Sequence, residues 1–267
     1  MPQHGTKMGK ATYHITTRTA QRKRWLMKNG FRDLAEEIIT TFAEIYCVEI
    51  HSLVLMGNHY HILLTLENLD LDETELQRRF ELLQAQNYRK QKWKDWMVER
   101  FHERITSLSW FMWEINRRIA LRLNKINKSK GHFWGGRYKP ILVEDDDSFT
   151  REMTYLEQNP CKAGLAEKPS DYRWCTAGRL KRELDKGKTP EMPAFGFLKY
   201  YAGEARTKAW IEAQDRLALY RGAVKKAVRK QQSIETVPRP QIKGIDIEHW
   251  LQSGTGNVPR DAATEFG

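Results

Sequence analysis

Two histidines separated by one residue, His59-Tyr60-His61, lie inside a run of strand-forming residues at positions 53–66. In an extended chain, side chains two apart project from the same face, about 6.5–7 Å apart. Both imidazoles can therefore converge on one cation. Alone the pair is weak evidence, because two histidines satisfied inside a sheet have the same spacing. Far downstream, residues 148–159 have the pattern of a short helix: Ser148 suits an N-cap, and Phe149, Met153 and Leu156 form an apolar stripe. Glu152 suits the dipole near that helix's start, and Asn159-Pro160 closes it. Tyr155 and Asn159 are four apart and share one face. That pairs a hydroxyl nucleophile with an amide oxygen able to serve as a third ligand to the cation, although a half-buried tyrosine beside a helix-end asparagine has the same pattern.

Three motifs occur in order: Gly57-Asn58-His59-Tyr60-His61-Ile62-Leu63-Leu64, then Gly131-His132-Phe133-Trp134-Gly135-Gly136-Arg137-Tyr138, then Tyr155-Leu156-Glu157-Gln158-Asn159-Pro160 running on to Leu165. Together with Tyr13-His14-Ile15-Thr16-Thr17-Arg18 at the front, they resemble the REP-associated tyrosine transposases, single-tyrosine members of the HUH nuclease superfamily related to the insertion-sequence-200-like transposases. The resemblance covers roughly residues 11–176. It implies an enzyme that binds single-stranded DNA beside a hairpin and cuts one strand by transesterification. By the same resemblance His59 and His61 hold a divalent cation with Asn159, and Tyr155 becomes joined to the 5′ phosphate. A free 3′ hydroxyl can later reverse the step.

That chemistry suits the residue types. A tyrosine hydroxyl has an unperturbed pKa near 10, so at neutral pH it needs assistance to attack. A cation on the phosphate oxygens supplies Lewis-acid assistance and alignment. Imidazoles alone favour late metals such as zinc, whereas a phosphate substrate and an amide oxygen favour Mg2+ or Mn2+, the expected cofactor here.

Composition agrees with a polyanionic partner. The chain has 267 residues with 45 Lys and Arg against 34 Asp and Glu, a net charge of +11 and a pI near 9.5. Three cysteines lack metal-ligand spacing and point to reduced thiols. No apolar run reaches the roughly 20 residues that cross a bilayer, and the polar start is no signal peptide. A cytoplasmic protein with no membrane partner is expected, and homodimer and monomer both stay open.

The elements that must position these residues follow from periodicity. A strand is expected at 12–17, a helix at 31–46, strands at 47–51 and 53–66, a helix at 109–127, a strand at 140–143 and the tyrosine helix. This order matches an α+β ferredoxin-like sandwich, an antiparallel sheet covered by helices, with the histidine strand at its centre. A charged helical insertion interrupts it over about 70–107, where Phe80, Trp93 and Phe101 are read as packed against the domain. The catalytic domain is expected to span 1–176, followed by a basic helical extension at 177–232, linker-like at first and helical over 207–231. A disordered tail is expected at 233–267.

DNA contacts are expected from Arg18 in the basic stretch after the first strand. On the 109–127 helix, Arg117, Arg118 and Arg122 make a basic face suited to phosphates. In the glycine-rich loop, Arg137, Tyr138 and Lys139 face DNA, while Trp134 either stacks on a base or anchors the loop. The acidic run at 144–147 reads as a solvated helix entry. Two other functions fit parts of the pattern: a domesticated DNA-binding protein that no longer cuts, and a metal-dependent hydrolase in which Tyr155 is structural.

Overall fold

The β-branched and aromatic residues of the first segment form β1 (Lys10–Arg18), which pairs on both sides with later strands. The remaining strands are β2 (Val48–Leu55), β3 (His59–Glu67) and β4 (Lys139–Val143). All neighbours run antiparallel in the order β2-β3-β1-β4. With α1 (Phe31–Ile45) between β1 and β2, and α4 (Leu108–Ile126) leading into β4, this is the expected α+β arrangement. This computed structural model describes residues 10–28, 30–87, 90–187 and 204–230, with positions 237 and 240.

β3 is a central strand buried on both faces, with Ile62, Leu63 and Leu64 fully inaccessible, so it reads as an almost unbroken apolar run. The single strand expected over 53–66 is in fact two. β2 ends at Leu55 and β3 starts at His59, with a tight hairpin between them. Gly57 sits in that turn, where its carbonyl accepts the Leu26 N–H at 3.0 Å and a Cβ would lie 2.9 Å from Met27 Cγ, so a larger residue would have to displace the Met27 side chain. A three-residue turn between two apolar strands leaves little trace in periodicity.

The register divides the sheet into two faces. Thr12, His14, Thr16 and Arg18 stand opposite Thr65, Leu63, His61 and His59 on one face, and Tyr13, Ile15 and Thr17 opposite Leu64, Ile62 and Tyr60 on the other. The Tyr60 side is covered by α4, where the Tyr60 hydroxyl donates to Asn116 Oδ1 at 2.6 Å, and α1 packs against α4. The histidine side faces α5 (Asp146–Lys162).

The insertion folds into α2 (Glu73–Ala85) and α3 (Val98–Ile105), and Phe80, Trp93 and Phe101 pack edge to face at 5.2–6.0 Å, with Phe80 and Phe101 part of the main core, so the insertion packs against the domain as expected. α5 is longer than expected at both ends. Asp145 caps it by accepting the Ser148 N–H at 2.6 Å, and Pro160 lies inside its last turn. The proline leaves the Leu156 carbonyl without its usual donor, and the Asn159 amide reaches that oxygen at 3.4 Å. α6 (Thr176–Asp185) occupies the start of the stretch expected to be linker, and α7 (Glu204–Arg229) forms the basic extension. Phe195, Phe197, Tyr200 and Tyr201, and nearly all of the expected tail, lie outside the described residues.

Candidate active site

The histidine pair is oriented by the turn that precedes it. The Asn58 carbonyl accepts the Thr19 N–H at 2.8 Å and the Thr19 hydroxyl at 3.0 Å, and its amide nitrogen donates to the Arg22 carbonyl at 3.1 Å. So held, Asn58 Oδ1 sits 2.6 Å from His59 Nδ1. His61 Nδ1 lies 2.9 Å from His14 Nε2 and 3.1 Å from the Thr16 hydroxyl. Each ring thus commits Nδ1 to the protein, while neither Nε2 has a protein partner among the described residues. The two rings are 4.9 Å apart and nearly perpendicular.

Burial, then the Arg18 guanidinium, pulls the pKa of His59 down to about 4. Burial, then His59 and His14, holds His61 well below its ordinary value. Both imidazoles are therefore neutral at neutral pH, the state in which imidazole binds metal. Among the described residues no three His, Cys, Asp or Glu side chains form a ready cage. The pair nevertheless fits a divalent cation, since two neutral imidazoles with Nδ1 engaged and Nε2 unengaged are a ligand set that needs only oxygen donors to complete it.

The tyrosine helix is fastened by the residues around the nucleophile. Leu156 is fully buried. Glu157, also fully buried, accepts the Ser52 hydroxyl of β2 at 2.7 Å and the Ala177 N–H at the start of α6 at 2.9 Å. Gln158 donates to the Gln214 carbonyl of α7 at 2.9 Å. With its neighbours turned inward, Tyr155 faces outward at 43% exposure, its ring 6.0 Å from His14 and 6.2 Å from His61. Burial and the Glu152 carboxylate raise its pKa, opposed by Arg18, so the resting phenol keeps its proton.

Lys162 Nζ lies 4.1 Å from the Tyr155 ring centre. Burial, then Arg221 and Lys225, lowers its pKa to about 7, with Glu152 opposing. The expected third ligand, Asn159, sits one turn beyond the tyrosine. Its amide nitrogen donates to the Tyr155 carbonyl at 2.9 Å, and it is not among the residues lining the cleft.

The cleft itself measures about 760 Å³ and gathers Arg18, Arg22, Arg137 and Lys139 around His14, His61 and Tyr155, with Glu152 its single carboxylate. One wall is the glycine-rich loop, pinned to the end of β1 by Ala20 N–H to the Phe133 carbonyl (2.9 Å) and Gly135 N–H to the Arg18 carbonyl (2.8 Å). A Cβ at Gly135 would meet the Thr19 carbonyl at 3.1 Å, so the close approach favours glycine. Gln21 and Arg22, on the cleft rim, hold left-handed φ values of 54° and 52°.

The expected DNA contacts separate. Arg18, Arg137 and Lys139 line the cleft. Trp134 is a loop anchor: its indole donates to the Asn116 carbonyl at 2.8 Å and its ring meets Tyr60 edge-on at 5.5 Å. The Tyr138 hydroxyl is 3.4 Å from Ser109 Oγ on α4, away from the histidine face. Arg117, Arg118 and Arg122 line a separate cavity of about 220 Å³ between α1 and α4. Arg118 holds Glu114 at 2.6 Å and the Gln86 carbonyl at 2.8 Å, and Arg117 holds Glu114 at 3.0 Å. A helical wheel cannot tell which side of the sheet a helix will cover. His14 and Glu152 escaped the sequence reading as site residues, although His14, Thr16 and Arg18 alternate on one strand and Glu152 precedes Tyr155 by three.

The molecule is thus an α+β protein whose central strand carries a neutral histidine pair, with His61, but not His59, lining a basic cleft together with Tyr155 of the facing helix. Residues 7–91, a stretch that holds β1, the histidine strand and the start of the insertion, match the family model described as transposase IS200 like. Among solved structures the chain is similar to a REP-associated tyrosine transposase bound to a REP hairpin, at 16% identity, covering 76% of this chain and 93% of that one, with a TM-score of 0.42. It is also similar to a Deinococcus radiodurans R1 protein described as a transposase, at 15% identity over 59% of this chain and 96% of that one, with a TM-score of 0.28. No curated protein matches. No described helix is long and apolar enough to cross a membrane.

Proposed function

We propose that this protein is a single-strand DNA transposase that cuts and rejoins DNA beside a hairpin through a covalent link to Tyr155. The observation that carries the proposal is the placement of Tyr155 in the same chain, 6.0–6.2 Å from the His14 and His61 rings, at a cleft lined by four cationic side chains. Arg18, Arg137 and Lys139 hold backbone phosphates there, which adds affinity that falls with salt. Tyr155 Oη attacks the scissile phosphorus as the bond to the 3′ oxygen breaks. The phenolic proton leaves Tyr155 and the departing oxygen ends as a 3′ hydroxyl. The phosphotyrosine ester conserves the bond energy, so a 3′ hydroxyl can attack it and restore a phosphodiester without an outside energy source.

His59 and His61 would hold Mg2+ or Mn2+ with an oxygen ligand from the tyrosine helix, assigned to Asn159. Bound there, the cation supplies Lewis-acid assistance at the phosphate. Lys162, beside the tyrosine ring, offers a further cation to the phosphate. The test is a denaturing gel of protein incubated with an end-labelled hairpin oligonucleotide and Mn2+. A covalent adduct is expected, lost in Tyr155→Phe with hairpin affinity unchanged. Uncut but shifted DNA would instead mark a binding protein, and a free 5′ phosphate without adduct a hydrolase.

A further inference from the structure

We infer that His14 and Glu152 are positioning residues for the metal ligand His61, forming a carboxylate–imidazole–imidazole chain that fixes which nitrogen His61 presents to the cation. The inference rests on the proposed metal role of the histidine pair. Glu152 Oε2 lies 2.8 Å from His14 Nδ1, off the ideal line of a hydrogen bond, and His14 Nε2 lies 2.9 Å from His61 Nδ1. His14 is only 4% exposed, so water does not substitute for these contacts.

Proton placement follows from the donor and acceptor inventory. A carboxylate accepts and does not donate, so the His14 proton belongs on Nδ1, facing Glu152. His14 Nε2 then carries a lone pair and accepts from His61 Nδ1–H. His61 Nε2 is left with the lone pair a metal requires. Thr16, 3.1 Å from His61 Nδ1 and 3.4 Å from His14 Nε2, can support either end of the same link. His59 reaches the same tautomer by a shorter route, through Asn58 Oδ1 at 2.6 Å. Two different devices therefore impose one outcome on both rings. Partners of this kind, one layer behind a metal ligand, typically change metal affinity by roughly 10–100-fold when removed.

The arrangement comes from three elements. β1 and β3 place His14 and His61 diagonally on one sheet face, with His14 opposite Leu63 and Thr16 opposite His61. α5 brings Glu152 over them one turn before Tyr155, so the same helix carries the nucleophile and the start of the chain.

The experiment measures Mn2+ affinity of the full chain without DNA, by calorimetry and by the electron-spin resonance of free Mn2+, for the wild type, His61→Ala, His14→Phe, His14→Gln and Glu152→Leu. His14→Phe keeps a buried ring without nitrogen, and should weaken Mn2+ roughly 10–100-fold, with Glu152→Leu smaller and in the same direction. His14→Gln, whose amide oxygen can accept from His61, should recover part of the loss. Unchanged affinity in both His14→Phe and Glu152→Leu, with His61→Ala losing binding, would overturn this inference alone. Unchanged affinity in His61→Ala would overturn the metal reading beneath it. If His14→Phe fails to fold, the exposed edge of Glu152 makes Glu152→Leu the deciding variant, and a wild-type Mn2+ affinity there refutes the chain.

Discussion

Removing the Glu157 carboxylate should loosen the tyrosine helix more than any change to the tyrosine itself. Its two oxygens accept separate buried donors, the Ser52 hydroxyl on β2 and the Ala177 N–H that opens α6. Glu157→Ala leaves both donors unpaired in a dry site. At ~1–3 kcal/mol for each buried unsatisfied donor, the cost is ~2–6 kcal/mol before any cavity is counted. That is a large share of the ~5–15 kcal/mol that stabilises a typical domain. In urea, with a slope of ~2 kcal/mol per molar, the midpoint should fall by ~1–3 M. Glu157→Gln should behave differently. Its carbonyl can take the Ala177 N–H while Ser52, able to donate or accept, turns to accept from the new amide.

Charge adds a pH signature. Burial raises the Glu157 pKa, opposed by the Ala177 and Ser52 contacts. The folded chain therefore keeps this proton to higher pH than the unfolded chain, whose carboxyl titrates near about 4.3. Stability from this group is present below that value and is lost as pH rises through the raised folded value, so Glu157→Gln should flatten the decline. Urea titrations of the three proteins between pH 4 and pH 8 provide the assay. A Glu157→Ala midpoint within experimental error of wild type would refute the reasoning that this carboxylate anchors α5.

The cleft cations should reveal themselves by salt dependence. Arg137→Ala and Lys139→Ala should each reduce the slope of log affinity for single-stranded DNA against log salt by roughly 0.7–1. Arg118→Ala should leave that slope alone and lower stability instead, because Glu114, 1% exposed, loses a partner at 2.6 Å; a changed slope in this variant would return α4 to the DNA interface. Lys162 titrates near 7 in the free protein and should regain its proton beside a phosphate. Hairpin affinity should therefore be level below about pH 7 and weaken by up to about tenfold per pH unit above it. Fluorescence anisotropy from pH 6 to pH 9 checks this, and an identical profile in Lys162→Met would exclude Lys162 as the source.

Much of the site was legible because strand and helix periodicity are local properties. His59 and His61 share a face because alternate residues of any strand do, and Tyr155 and Glu152 lie on one side of α5 because residues three apart on a helix do. The fold class and the central place of the histidine strand also followed from the sequence of elements, since few topologies connect strand, helix, strand, strand, helix and strand without crossing. Asp145 and Pro160 show the limits of that reading. A cap one turn earlier and a proline tolerated in the last turn both depend on which hydrogen bonds the surroundings supply.

The amino-acid order by itself determined the alternation that aims both imidazoles one way, the helix that carries the phenol, and the surplus of positive charge. Only the tertiary structure decided which cations meet the substrate. α4 and the loop from Gly131 are both basic on paper, yet α4 packs on the Tyr60 face with Arg117 and Arg118 engaged by Glu114, while Arg137 and Lys139 open onto the histidine face. His14 and Glu152 became neighbours for the same reason: they are distant in sequence, and only the pairing of β1 with β3 and the docking of α5 bring a carboxylate to an imidazole. Contacts of that kind are set by which apolar surfaces must be buried together, a choice made by the whole chain and not by any segment of it.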